Sequence, residues 1–459
     1  MALGLDTCPD EIIECVAKLL DLDDIRNLRL SSKSLAVKSS QHAFRAYFRS
    51  KHIDLTPHTL QLFAQGTQAG GLQSLVQTLY LTGIASDSGE SARAVQDDTP
   101  EERIRRKQEV NLLRQAFNGL AKHSENLLSL TLRVVVLRHN QKRILPVDTT
   151  GGAKSMSVWR CTARTFDVAL RALAMSKLRL KSLNVFNEAE LQQCSLSCEQ
   201  LDAIDWNDPG LSESLATLKS LSISICTRIP GFRKDSNKDE NEDDDEDEDE
   251  LYNERGRVSR RQTAEKQTET DDENNFVGLA RFLPLCMQLN DFELHYLAVR
   301  RPRSGPIDRS GSEKILQHLT KQEELPSLER CRLRGLTAKE VDLLDFIKRT
   351  TVRELYLETI HLHTGTFGSI IDYCTSNAAS LTKVYFRSLF NDIKETGMIH
   401  FSGGERSTIG LYRDSELLER DDSSIRDPVT YHSLPPLFMG SPLTMQWMKF
   451  QRIEYGSCV

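Results

Sequence analysis

Long apolar runs are missing from this chain of 459 residues: no stretch of about 18 consecutive apolar residues occurs, so no membrane-spanning helix is expected. The first residues carry Asp6, Asp10 and Glu11 where a secretory leader needs a basic start and an apolar stretch, which points to a cytoplasmic or nuclear location. Glycine-rich phosphate loops, HExxH, GxSxG and EF-hand loops are absent, and Gly403-Gly404 is an isolated pair. No catalytic residue and no cofactor is therefore expected. The ten cysteines are scattered, and Cys194 and Cys198, the closest pair, have no second Cys or His pair at zinc-finger spacing. No metal site is expected, and positions such as Cys226 and Cys331 read as buried, reduced thiols. Cys458 lies one residue from the last, not four, so no prenylation box is expected.

A strongly basic domain is missing too. The net charge is −7, and most of the acidity sits in Asp235 to Glu250, where twelve acidic residues accompany one lysine. Without the −11 of that run the remainder carries about +4, too little for a nucleic-acid module. The run cannot pack and reads as a solvated insert, with an acidic arm for a basic partner as the sharper alternative. The basic stretch Arg255 to Thr263 after it reads as an ordinary surface cluster, a nuclear-import signal or a kinase site at Ser259 or Thr263.

What the chain does contain is a repeat. The pattern apolar-x-x-apolar-x-apolar appears as VQTLYL from Val76, LLSLTL from Leu127, LKSLNV from Leu180 and LKSLSI from Leu218. It continues as LNDFEL from Leu289, LERCRL from Leu328, VRELYL from Val352 and LTKVYF from Leu381, and in several copies an apolar residue follows three places later: Ile84, Leu297, Leu336, Ile360 and Leu389. The alternating pair points inward from a short strand. Helical patterns lie between, over Glu101–Lys122, Phe166–Ser176, Phe276–Gln288, Glu313–Leu319, Ala338–Lys348 and Phe367–Cys374. Thr337 and Glu340 are spaced as a capping box. Ala85–Pro100, Arg138–Arg160 and Val299–Gly311 read as loops. The segments resemble the strands of leucine-rich repeats, although the family's asparagine is missing and the spacing is irregular. The resemblance implies an irregular α/β solenoid with parallel strands.

A second resemblance lies in Leu5 to Phe48. Ile12, Ile13, Val16, Leu19 and Leu20 fall on one helical face behind Pro9, with Asp10 and Glu11 at its positive end. Leu22, Ile25, Leu28 and Leu30 form a second run, and Leu35, Ala43, Phe44, Tyr47 and Phe48 supply the rest. A module of about 40 residues seldom buries enough to stand alone, so its apolar side chains are expected to await a partner. Pro9, Asp10, Glu11 and Ile12, followed by Leu19, Leu22, Asp24, Ile25, Leu28, Leu30, Ser32, Lys33 and Leu35, resemble the F-box motif of fungal F-box proteins. Cys8 stands where the family usually has leucine, and Phe44 or Phe48 where it often has tryptophan. The resemblance implies docking onto the Skp-type linker of a cullin-RING ubiquitin ligase, with Pro9, Ile12, Ile13, Leu19, Leu22, Ile25, Leu28 and Leu30 as contacts. The plain alternative is a helical cap packed on the rest of the chain.

The expected organisation is an α/β chain: F-box module 1–50, first repeat half 51–233, acidic insert 234–275, second repeat half 276–400 and a loop-rich cap 401–459. Phe438, Met445, Trp447, Met448 and Phe450 supply that cap with apolar material. Between the inward pairs, outward residues line one face. In the second half they alternate in charge: Asp291, Glu293, His295; Arg330, Arg332, Arg334; Glu354, Tyr356, Glu358; Lys383, Tyr385, Arg387. Either neighbouring rungs satisfy one another, or Arg330, Arg332, Arg334, Tyr356, Tyr385 and His295 bind a target, since Arg and Tyr dominate binding energies. The expected function is that of a non-catalytic substrate-recognition subunit of an SCF-type ligase, with the linker, a cullin and a protein target as partners. The alternative is a scaffold that binds a helical partner outside any ligase.

Overall fold

A computed structural model of the chain describes residues 5–86, 99–123, 127–138, 141–143, 153–188, 194–227, 274–297, 311–391, 397–401 and 416–434. The acidic run, the basic stretch after it and the apolar tail from Phe438 lie outside the described residues. The chain is α/β with mostly parallel strands, and it divides into two compact units. The first comprises Met1–Leu145, Arg160–Val185 and Asn207–Leu218, the second Pro146–Trp159, Phe186–Trp206 and Lys219–Val459.

The first unit opens with four short helices, α1 (Asp10–Ala17), α2 (Leu22–Ser31), α3 (Lys33–Lys38) and α4 (His42–Ala46). Each start has a local cause. Pro9 precedes α1 and the acidic pair Asp10 and Glu11 fills its first turn. The Asp21 side chain accepts from the Asp24 amide at 2.8 Å, and Ser32 from the Leu35 amide at 3.3 Å. The buried Glu14 carboxylate accepts from the Ala43 amide at 2.7 Å and so fixes the start of α4. Ala17, Ile25 and Phe44 form a small core, closed by Leu20, Leu22, Ala43 and Phe48.

The strands β1 (Ser50–Asp54), β2 (Thr78–Ser86) and β3 (Leu127–Arg138) then run parallel, separated by the helices α5 (Pro57–Gln68) and α6 (Pro100–His123). The short β4 (Gln141–Arg143) folds back on β3, and after helix α7 (Ala153–Ser176) the strand β5 (Leu180–Val185) lies parallel to β3. Leu79, Leu130 and Leu183 share one register, and all three are fully buried. Behind them Glu109 of α6 has a fully buried side chain and takes two hydrogen bonds from Arg164 of α7. Arg105 donates to the same carboxylate at 3.3 Å, and Arg164 reaches Glu102 at 3.2 Å. Burial pushes the Glu109 carboxyl above the usual carboxylate range, although Arg164 pulls it back.

In the second unit the short β6 (Leu196–Ser197) and α8 (Cys198–Asp202) precede β7 (Ser220–Cys226), then α9 (Val277–Phe282), β8 (Asp291–Tyr296), α10 (Glu313–Thr320) and β9 (Arg330–Arg334). There follow β10 (Thr337–Lys339), α11 (Glu340–Arg349), β11 (Glu354–Glu358), β12 (His361–Thr364), α12 (Gly368–Thr375) and β13 (Lys383–Arg387). Leu221, Phe292, Cys331, Leu355 and Val384 pair in one parallel register and are buried. All eight sequence copies are thus strands, with their alternating apolar pairs in the core. Beyond β14 (Met398–Phe401), β15 (Leu417–Asp421) closes the β13 edge antiparallel, and β16 (Tyr431–Leu434) pairs with β14. An edge so covered cannot recruit another strand.

The three neighbouring strands β9, β11 and β13 are each followed by a residue in the left-handed region: Gly335 (φ 76°), Thr359 (φ 55°) and Ser388 (φ 52°). Their amides donate to Glu358 O (3.0 Å), Arg387 O (2.9 Å) and Glu416 O (3.2 Å), and the next residues, Leu336, Ile360 and Leu389, drop into the core. A Cβ on Gly335 would stand 2.4 Å from Tyr296 O. Gly335→Ala therefore combines left-handed strain with a backbone clash and is expected to lower stability by about 2–3 kcal/mol, read from urea unfolding. Arginines also tie repeat to repeat. Arg349 donates to the carbonyls of Thr320, Gln322 and Glu323 after α10, and Arg426 to those of Cys374, Ser376, Ala379 and Leu381 after α12. These satisfy carbonyls that a helix end leaves open. Arg426→Met keeps the apolar stem and removes the donors, so a loss of about 2 kcal/mol in thermal unfolding is expected.

Several expectations need correction. The segment expected as a loop over Arg138–Arg160 contains the start of α7 at Ala153. Thr337 forms no capping box, because it lies in β10 and α11 starts behind Lys339; Glu340 instead accepts from the Thr366 amide and the Ser369 hydroxyl ahead of α12. The apolar pattern does not predict the helices Pro57–Gln68, Cys198–Asp202 and Pro209–Leu215 or the strand β1.

Candidate functional site

Two surfaces follow from this architecture. On the first, α1 to α3 leave Leu19 at 88%, Leu30 at 85%, Val37 at 72% and Ile12 at 50% exposure. Pro9 is exposed, and Leu22 and Leu28 are half-buried. Ile13 and Ile25 depart from expectation: both are fully buried within the chain, so they hold the fold of the module and offer no contact to a partner. The reason is geometric. Helical spacing marks Ile12 and Ile13 alike as apolar, and only the packing of α1 on α3 and α4 decides which of the two turns inward. Val37 carried no signal of its own, yet it stands two residues from the inward Leu35 and so falls on the opposite side of α3.

The second surface is the outward face of β8, β9, β11 and β13. Arg330 meets Glu354 at 3.1 Å and Asp291 at 3.6 Å; Arg332 meets Glu358 at 3.6 Å and Glu293 at 3.8 Å. Lys383 pairs with Glu419 at 2.9 Å. Tyr356 and Tyr385 lie tilted with centroids 5.8 Å apart, and the Arg332 guanidinium stands 4.9 Å over the Tyr356 ring. The alternating rungs do satisfy one another across the strands. Such partly exposed pairs contribute about 0–1 kcal/mol each and mainly fix register.

His295 is the exception among the face residues. It is 2% exposed, its Nδ1 lies 3.0 Å from the Ser224 hydroxyl, and that hydroxyl lies 2.7 Å from the Ser195 hydroxyl. Burial, with the Arg334 charge beside it, holds the imidazole well below the usual histidine range, so it stays neutral. His295 is thus buried and offers no exposed contact to a target. Asn187 donates to Ser222 at 2.9 Å and accepts from Arg334 at 3.0 Å. No feature of the sequence paired Asn187 with a residue 147 positions away.

In the first unit, His52 stacks on Tyr80 with centroids 4.3 Å apart, and the Arg133 guanidinium lies 4.0 Å over the same ring. Burial pushes the Cys161 thiol up to about 11 and the Cys374 thiol up to about 12, and the Cys286 and Cys331 thiols also rise. Cys15 is exposed. A thiol reagent at neutral pH is therefore expected to label Cys15 in the folded chain while the buried Cys286, Cys331 and Cys374 stay unmodified until denaturant is added, as read by mass spectrometry. Among the described residues no group of three or more His, Cys, Asp or Glu side chains is placed to hold a metal ion, and no helix is long and apolar enough to cross a membrane. No model of a protein family matches the chain, and no curated protein matches it.

Proposed function

We propose that the chain is the substrate-recognition subunit of an SCF-type cullin-RING ubiquitin ligase, working in the cytoplasm or nucleus. The observation that carries this reading is the cluster of short helices at the N-terminus that leaves Leu19, Leu30, Val37 and Ile12 outside its own small core. So many exposed large apolar side chains on so small a module are of the kind that a protein interface buries. On this reading α1 to α3 are an F-box and dock on a Skp-type linker, which in turn holds a cullin. The strands and helices that follow form an irregular leucine-rich-repeat-like solenoid, supported by the recurring rung of strand, left-handed residue and buried apolar side chain. Its outward face holds a protein target near the conjugating enzyme. The chain then contributes effective concentration and orientation and performs no bond chemistry itself.

The test is affinity purification of the tagged full-length chain. A linker and a cullin together in the eluate are expected; a linker without cullin would replace the ligase with a scaffold that binds the same helical partner elsewhere.

A further inference from the structure

The strands of the first unit present an outward face unlike that of the second. In one register Ser50, Thr78, Ser129 and Ser182 set four hydroxyls side by side across β1, β2, β3 and β5. Two residues further along, His52 and Tyr80 are neighbours, and Asn184 of β5 stands in the same row. The two rings stack with 4.3 Å between centroids and 4° between planes. The Arg133 guanidinium lies 4.0 Å over the Tyr80 ring, and its Nη1 stands 3.4 Å from His52 Nδ1. The third row holds Asp54, Thr82 and Arg133, so these three rows carry two charges, opposite in sign. The face is open to solvent: Ser50 and His52 are exposed, and Thr78, Tyr80, Ser129 and Arg133 are half-buried. In the second unit, by contrast, the rungs alternate in charge and satisfy one another.

We infer that the outward face of β1, β2, β3 and β5 holds the protein target, and that it takes an uncharged segment of that target. The choice of segment follows from what binding removes from water. Over the hydroxyl row and beside Tyr80 and Asn184, a charged side chain would lose its hydration without a counter-charge, whereas amide and hydroxyl groups exchange water for a partner at little net cost. Serine and threonine hydroxyls both donate and accept, so they serve the amides and the carbonyls of an extended backbone alike. Interface cores are poor in charge and enriched in Tyr and Arg, the types that dominate binding energy. Tyr80 and Arg133 already hold one another in place, so less side-chain freedom is lost when an apolar or aromatic anchor of the segment packs against their stack. This inference rests on the reading of the outward strand face as target-binding, and it moves the contact from the charged rungs of the second unit to the first.

The test selects a display library of random short peptides on the full-length chain, with counter-selection on the Tyr80→Ala chain to discard those that bind elsewhere. The surviving sequences are expected to lack Lys, Arg, Asp and Glu around an apolar or aromatic anchor, and the synthesised consensus peptide to bind equally well at low and high salt. Arg133→Gln should weaken that peptide at least about tenfold, while Tyr356→Ala in the second unit leaves its affinity unchanged. Thermal unfolding is followed for each variant, and Arg133→Gln serves for the counter-selection if Tyr80→Ala proves unstable. Charged consensus sequences, affinity that falls steeply with salt, full binding by Arg133→Gln, weakening by Tyr356→Ala, or no survivors at all would overturn the inference. Capture of linker and cullin by the same preparations reports separately on the N-terminal module, so a failed selection with that capture intact removes the target face and leaves the ligase reading standing.

Discussion

Glu109→Ala is expected to destabilise the first unit by about 3–5 kcal/mol, because it strands Arg164 between α6 and α7 without its main partner. Breaking one side of a buried pair leaves a charge in a poorly solvated place, and the residual contact of Arg164 with Glu102 at 3.2 Å restores only part of what is lost. Removing both charges has a different outcome. Glu109→Leu combined with Arg164→Met replaces the pair with apolar side chains of similar length, and stability near that of the wild type is expected. The direction of the Glu109 shift sharpens the test. Since burial raises its carboxyl in the folded state, this group contributes its full stability below the unfolded carboxylate range and loses it as pH rises through the raised value. The double variant lacks that slope, so it should gain on the wild type as pH rises above the unfolded carboxylate range of about pH 4. Urea unfolding of the three proteins across this interval reads all of it; a single variant as stable as the double would contradict the buried-pair account.

That network lay beyond the reach of the sequence, since Glu109 and Arg164 are 55 positions apart, and Arg164 falls before the helical pattern Phe166–Ser176. The strands were legible for the opposite reason. Alternation with period two needs only a few consecutive residues, and the pairs Leu355 and Leu357, or Val384 and Phe386, declare the buried side without knowledge of their neighbours. β1 gives no such signal, because SKHID offers one buried apolar residue, Ile53, and becomes a strand by pairing with β2. The alternation that placed Arg330 and Arg332 on the outward face placed His295 there as well, yet it is buried, with its Nδ1 against the Ser224 hydroxyl. Local periodicity reports which way a side chain points and is silent on how far the rest of the chain buries it. The same limit applies to Ile13 and Ile25, whose apolar character was evident and whose inward direction was set by helices still to come.

A charged side chain at Leu19 and Leu30 is expected to eliminate linker binding while leaving the fold intact. Both are among the most exposed apolar residues described, so aspartate there meets water in the free chain and adds little to the folding free energy. In a complex each would be driven against the partner's apolar surface and desolvated without a counter-charge, and losses of about 2 kcal/mol or more per buried anchor are usual at such positions. Two anchors together correspond to at least about a hundredfold in affinity. Aspartate at the buried Ile13 or Ile25 acts otherwise: it opens the core of Ala17, Ile25 and Phe44 or its surroundings and unfolds the module. The measurement that bears most directly on the proposed function is titration of a purified Skp-type linker onto the full-length chain, wild type against the Leu19→Asp, Leu30→Asp double variant. Tight binding by the wild type and its loss in a variant whose thermal unfolding is unchanged is the predicted result; equal binding by both, or none by the wild type, would contradict it.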